Sequence, residues 1–160
     1  MSYNSKRTIA SIIAGVILIA AYLIYAFGER SPAPDDLKSW ATAMLVFIAI
    51  GVAATVVIQI LFHIALAVGI AVKEREQDDK TVERMIASAV VEDERDKLVG
   101  LKSARIGYAI AGAGFIAALV ALAFEAPVVA ALHIPFGAFA TGSIVEGIVS
   151  VYFYEKGIKQ

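Results

Sequence analysis

Four long runs of apolar residues limit how this chain of 160 residues can fold. They cover about residues 8–27, 40–72, 105–124 and 135–154, and each has the roughly 20 residues that a helix needs to cross a bilayer. Backbone groups in lipid must be hydrogen-bonded within the protein, and no alternating strand pattern is present, so these runs are expected to be helical. The sequence therefore predicts an all-α fold, a four-helix transmembrane bundle that forms a single membrane domain, residues 1–160.

The positions of the basic residues predict how these helices are oriented. Of the 14 Lys and Arg residues, all except Arg30 and Lys38 lie before the first run, after the last run, or in segment 73–105 between the second and third runs. Basic residues accumulate on the cytoplasmic side of membrane proteins. We therefore expect two helical hairpins whose N- and C-termini are both cytoplasmic.

The charged segment 73–105 predicts a further helix in the cytoplasm. Its apolar residues recur at i, i+3, i+4, i+7 and i+8, the spacing of an amphipathic helix: Val82, Met85, Ile86, Ala89 and Val90. With Asp79 as its N-cap, this helix is expected to cover about residues 79–100. Three roles stay open for it: contact with the membrane surface, packing on the end of the bundle, and binding of a partner.

A run of charged residues follows the apolar stripe of this helix. It consists of Glu92, Asp93, Glu94, Arg95 and Asp96. Four-residue spacing pairs Asp93 favourably with Lys97. The same spacing places the carboxylates of Glu92 and Asp96 on one helix face. The simplest interpretation is a solvated juxtamembrane helix with internal salt bridges; a docking site and a divalent-cation site are the alternatives.

The charged residues 93–96, followed by Lys102, Arg105 and Tyr108 before an apolar run, resemble a group of small four-helix prokaryotic membrane proteins of unknown function. The resemblance covers most of the chain. It implies a location in the prokaryotic cytoplasmic (inner) membrane, and it supplies neither an activity nor catalytic residues.

Polar residues inside the apolar runs are the candidate functional residues. Thr55, Gln59 and His63 follow one another at four-residue spacing in the second run. Ser143 and Glu146 lie on one face of the fourth run. Because Gln59 and Glu146 fall at comparable depths, we expect the Gln59 amide to donate a hydrogen bond to the Glu146 carboxyl.

Glu146 allows two interpretations. Charged residues are costly in hydrocarbon and commonly face a bundle interior or a hydrated path. Desolvation disfavours the charged carboxylate, so a protonated Glu146 can act as a structural link between helices. Alternatively Glu146 handles a proton or a cation, with His63 either relaying protons to it or serving as a hydrogen-bonded residue at the membrane interface.

Composition and spacing exclude several classes of function. A net charge of −1 argues against nucleic-acid binding, and the absence of cysteine excludes thiolate catalysis and cysteine metal sites. Gly107, Gly112 and Gly114 lack the spacing of a dinucleotide fingerprint and are expected to be close-packing positions. His63 and His133 differ too much in depth to share one ion. No catalytic residue, cofactor or metal ligand is predicted.

These features favour a non-enzymatic membrane protein that contacts the lipid bilayer and either oligomerises or docks on a membrane or cytoplasmic protein partner. The alternative is a small proton- or cation-coupled transporter centred on Glu146. The two hypotheses differ in what Glu146 does, since only the second requires its carboxyl group to titrate.

Overall fold

The computed structural model describes residues 3–73 and 94–157, and within them the chain forms four helices. In chain order these are α1 (Tyr3–Phe27), α2 (Leu37–Lys73), α3 (Glu94–Ala123) and α4 (Val128–Lys156). Each of them is long and apolar enough to cross a membrane. For the described residues, the prediction of an all-α fold with four helices long and apolar enough for a multi-pass membrane protein is therefore confirmed.

All four helices begin earlier than the predicted spans, α3 and α4 by the most. α3 begins at Glu94, so residues 94–100, predicted as the end of a separate cytoplasmic helix, continue directly into the spanning helix. The rest of that predicted helix, residues 79–93, lies outside the described residues. α4 begins at Val128 and contains Pro135. The charged residues at the start of α3 are thus positioned by the spanning helix itself.

The helices pack in the order α2, α1, α4, α3. α3 and α4 form the most extensive contact, α1 packs on α4, and α2 packs on α1. Among the described residues α2 has few contacts with α4 and no close backbone contact with α3. We call the end that holds connections 28–36 and 124–127 the loop end. The opposite end, where α1 and α3 begin and α4 finishes, is the terminal end.

Small residues explain why α3 and α4 form the closest pair. A Cβ atom on Gly142 would lie 2.8 Å from the carbonyl oxygen of Gly107, so the two backbones touch at this point. A Cβ atom on Gly114 would overlap with the Cβ atom of Ala138. Between helices in lipid the hydrophobic driving force is absent, and packing of closely approaching backbones takes its place. The α3–α4 hairpin is therefore held mainly by van der Waals contact.

Gly112 requires a correction to the predicted close-packing positions. Nothing beyond its own helix backbone lies within 4 Å of the place where its Cβ would be, whereas Gly107 and Gly114 are buried. At roughly 100° per residue, Gly114 returns to the face of Gly107, while Gly112 is rotated from it by about 140°. The prediction is confirmed for Gly107 and Gly114 and wrong for Gly112.

An aromatic cluster fastens the start of α2 at the loop end. The ring centroid of Tyr22 lies 4.4 Å from that of Phe136 and 5.1 Å from that of Phe47. Trp40 meets the ring of His133 edge-on, with centroids 4.8 Å apart. Tyr22 and Trp40 are both buried. Since edge-to-face pairs add to the energy of area burial, this cluster attaches α2 to both α1 and α4.

Asp36 caps the N-terminus of α2. The backbone N–H of Ser39 donates to Asp36 Oδ1 at 3.0 Å, and the N–H of Trp40 donates to the Asp36 carbonyl at 3.1 Å. A side-chain oxygen that accepts from the third residue of a helix satisfies one of its unpaired donors. The cap fixes where α2 begins, and so it fixes where Trp40 enters the aromatic cluster.

Asp36→Ala is expected to lower the melting temperature of the protein in detergent, because it removes the cap. Hydrogen bonds from the Ser39 side chain and backbone hold the pKa of the Asp36 carboxyl below its usual range. The stabilisation is therefore complete above the ordinary carboxyl pKa and is lost as the pH falls through the lower pKa of the folded state.

Thermal unfolding between acid and neutral pH measures this contribution. Asp35→Ala, which removes no capping side chain, is the control, and Asp36→Asn keeps the cap without its titration. Equal losses in Asp35→Ala and Asp36→Ala would contradict the assignment.

Candidate functional site

Glu146 lies in the contact between α4 and α3. Its Oε2 atom is 2.7 Å from the place where a Cβ on Gly107 would be, and its own Cβ atom is 3.2 Å from that place. The missing side chain of Gly107 therefore makes the room that the carboxyl group occupies. Within the described residues, no side chain or backbone group forms a hydrogen bond with Glu146. The group is half-buried and lies against Gly107.

The predicted hydrogen bond between Gln59 and Glu146 is not formed. Gln59 is exposed on α2 and has no hydrogen-bond partner among the residues that the structure describes. α2 packs on α1, whereas Glu146 faces α3 on the far side of α4. The two residues can lie at similar depths and still be separated laterally. Depth was predictable from the sequence, but the lateral order of the helices was not.

The rotation of successive residues explains why the polar stripe of α2 leaves the bundle. Gly51 packs on α1, because a Cβ there would lie 2.9 Å from Leu18 Cδ2. Each four-residue step advances by about 40° around a helix, so Gln59 and His63 are turned from Gly51 by roughly 80° and 120°. Both side chains are exposed in the structure. Residues spaced four apart therefore move gradually around the helix, and the last two of this set lie outside the bundle.

Thr55 of α2 and Ser143 of α4 both line one cavity. The cavity lies between α1, α2 and α4, has a volume of about 580 Å³, and is lined mainly by apolar and small residues. Thr55 donates its hydroxyl to the Gly51 carbonyl at 2.9 Å. Glu146, Gln59 and His63 do not line this cavity. Thr55 and Ser143 thus line the cavity, and Gln59 and His63 are exposed outside it. Glu146 lies in the contact between α3 and α4.

The juxtamembrane charged residues connect three helices at the terminal end. An Arg95 guanidinium nitrogen donates to the backbone carbonyl of Tyr154 at 3.0 Å, at the end of α4. Asp96 Oδ2 accepts from the Asn4 side-chain amide at 3.0 Å, at the start of α1. A basic group interacts favourably with the last carbonyls of a helix, as Arg95 does at the end of α4. An acidic group interacts favourably with the start of a helix, as Asp96 does at the start of α1.

Arg95 and Asp96 of the charged motif therefore contact other helices. Glu94 is exposed at the start of α3, and Glu92 and Asp93 lie outside the described residues. A neighbouring contact adds to the same cluster, since Ser5 is fully buried and donates its hydroxyl to Glu155 Oε1 at 3.0 Å. No sequence signal singled out Asn4 or Ser5. Both are short polar residues before an apolar run, which is a common pattern at the start of a spanning helix.

Metal binding finds no support in the part of the chain that the structure describes. Over residues 3–73 and 94–157, no group of three His, Asp or Glu side chains is placed to hold a metal ion. His133 lies in the aromatic cluster, where its Nδ1 atom is 2.7 Å from the Val129 carbonyl oxygen. His63 is exposed on α2.

The chain matches no protein-family model, no curated protein sequence and no solved structure. Its function must therefore be inferred from the arrangement of its own residues.

Gly107→Ala is expected to destabilise the protein by about 1–3 kcal/mol, because the new methyl group would meet both the Glu146 carboxyl and the Gly142 backbone. Gly112→Ala on the same helix is the matched control. It is expected to be neutral or slightly stabilising, since its Cβ would meet no neighbour and alanine is the better helix former.

Thermal or denaturant unfolding in detergent compares the two variants. Adding Glu146→Ala to Gly107→Ala should restore part of the lost stability, because one of the two crowded groups is then removed. If both alanine variants unfold alike, the close contact between α3 and α4 at Gly107 is not present.

Proposed function

We propose that this chain is a non-enzymatic integral membrane protein that associates with other membrane proteins through α2, and that its first partner is a second copy of itself. The observation that carries the proposal is the exposure of α2. None of the residues in its most apolar stretch is buried, although the stretch is long enough to cross the bilayer. Beyond the aromatic cluster and the contact of Gly51 with Leu18, this helix lacks the extensive close packing that α3 receives from α4.

Gln59 supports association in the membrane. An amide in hydrocarbon gains from any hydrogen-bond partner, and hydrogen bonds between helices are a common source of helix association in lipid. A Gln side chain offers both donors and an acceptor, so it is complementary to itself across a two-fold axis. An exposed amide within the apolar span therefore favours a second α2 as its partner.

The distribution of charge supports the rest of the proposal. The excess of Lys and Arg in segment 73–105 and at both termini favours a cytoplasmic terminal end. The resemblance to small four-helix prokaryotic proteins favours the prokaryotic inner membrane. The amphipathic pattern within residues 79–93 is then available as a second contact surface for a cytoplasmic partner.

Gln59→Leu is expected to weaken self-association about 3- to 20-fold, the range that one hydrogen bond between helices provides in a membrane. The variant keeps side-chain volume and apolar packing while it removes the amide. Thr55→Val is the matched control one turn earlier, because the Thr55 hydroxyl already donates within its own helix.

Light scattering of the purified protein in detergent, over a range of concentrations, measures the association. A wild-type protein that stays monomeric at every concentration would overturn the proposal, as would a Gln59→Leu protein that associates as well as wild type.

A proton- or cation-coupled transporter is the second candidate, and Glu146 is the observation that favours it. Its half-buried carboxyl lies within the span with no hydrogen-bond partner among the described residues. Ionisable groups in such positions commonly serve proton or ion movement. The carboxyl lies against backbone at a tight helix contact, however, which favours a structural role just as well.

Glu146→Gln separates these roles. If the residue carries protons, the variant should fold and associate as wild type does but lose proton-coupled flux in proteoliposomes. Glu125→Gln, in the connection at the loop end, is the control and should retain it. Loss of folding without any wild-type flux would assign Glu146 to structure alone.

A further inference from the structure

The cavity between α1, α2 and α4 has the size and chemistry of a ligand site. Its volume of about 580 Å³ falls within the roughly 300–1,000 Å³ that is typical of small-molecule sites. No charged residue lines it. Its walls are aliphatic, aromatic or glycine apart from four hydroxyl side chains, those of Thr8, Ser11, Thr55 and Ser143.

Three of these hydroxyl groups already donate to the backbone of their own helices. Thr8 Oγ1 donates to the Asn4 carbonyl at 2.9 Å, and Ser11 Oγ donates to the Arg7 carbonyl at 3.3 Å. Thr55 donates in the same way, as described above. A polar ligand would therefore lose its hydration and find few donors in return, whereas a hydrocarbon chain would lose nothing. The cavity favours a hydrocarbon ligand.

The length of the cavity matches one leaflet of a bilayer. On α1 its wall extends from Thr8 to Ile19, which corresponds to about 16 Å at a rise of 1.5 Å per residue. The hydrocarbon core of a bilayer is roughly 30 Å thick, so this is about half of its depth. A single lipid acyl chain that enters from the leaflet on the terminal side would fill the cavity along its length.

A free cation lies at the end of the cavity where the headgroup of such a lipid would be. Arg7 directly precedes Thr8, and its side chain has no ion pair or hydrogen bond among the described residues. Residues at i, i+7 and i+11 share one side of a helix, and here they are Arg7, Ala14 and Leu18. Ala14 and Leu18 both line the cavity. A guanidinium group matches the geometry of a phosphate with two parallel hydrogen bonds.

We propose that this cavity binds one acyl chain of an anionic phospholipid and that Arg7 holds the phosphate of the same molecule. This site goes beyond the proposed self-association, because it occupies the space between α1, α2 and α4 and does not involve Gln59. It assigns to the α1–α2 hairpin a lipid that packs beside the contact of Gly51 with Leu18, in the space that α1, α2 and α4 leave between them.

Native mass spectrometry of the delipidated full-length protein, titrated with phosphatidylglycerol that carries long acyl chains, tests the proposal. The wild-type protein should retain one lipid per chain. Ala54→Phe fills the cavity and should abolish retention, whereas Ala53→Phe, an exposed neighbour outside the lining, should not. Ala140→Phe fills the cavity from α4 and replaces Ala54→Phe if that variant does not fold.

Arg7→Gln should weaken retention about fivefold, the contribution of one basic residue near an anionic lipid surface. Lys6→Gln removes the same charge about 100° away around the helix and should have little effect. Equal retention of long-chain phosphatidylcholine would overturn the preference for an anionic lipid, and wild-type retention by Arg7→Gln would overturn the role of Arg7. Equal retention of dihexanoyl phosphatidylglycerol, or wild-type retention by the cavity-filling variant, would overturn the acyl-chain site.

Discussion

The contact between the backbones of α3 and α4 at Gly107 and Gly142 is the constraint on which the rest of the arrangement depends. It draws these helices close enough for a side chain of α4 to lie across the face of α3. That side chain is Glu146, which is thereby turned from the helices on the other side of α4. α1 then packs on the remaining face of α4, against Gly147, where a Cβ would lie 2.6 Å from Ile12. α2 packs on α1 and lies at the edge of the bundle.

Three different interactions hold the bundle, one at each depth. Glycine and alanine positions join α3 to α4 in the span, where burial of apolar surface gives little advantage over lipid. Aromatic rings join α1, α2 and α4 at the loop end. Hydrogen bonds donated by Arg95, Asn4 and Ser5 join α1, α3 and α4 at the terminal end. The aromatic cluster attaches α2 at the loop end, and the contact of Gly51 with Leu18 adds an attachment to α1 within the span.

The sequence contained enough information for the helices and for the depth of their polar residues, but not for their neighbours. Length and hydropathy identify spanning helices because the bilayer has a fixed thickness. Gly107 and Gly114 were predictable as packing positions because seven residues return to one helix face. The partner of Glu146 was not predictable, since small residues occur on several helices and nothing in their spacing says which two faces meet. The charged motif was identified, but its partners Asn4 and Tyr154 lie 92 and 59 residues away along the chain, beyond the reach of local patterns.

The place of Glu146 over Gly107 has a consequence for how such a chain can change over time. A residue with no side chain and a residue with a long polar one together fill a single space between two helices. Neither position can be altered on its own without leaving a gap or a clash, so positions 107 and 146 should vary as a pair. A descendant of this sequence that gains a side chain at position 107 is expected to carry a shorter residue at position 146.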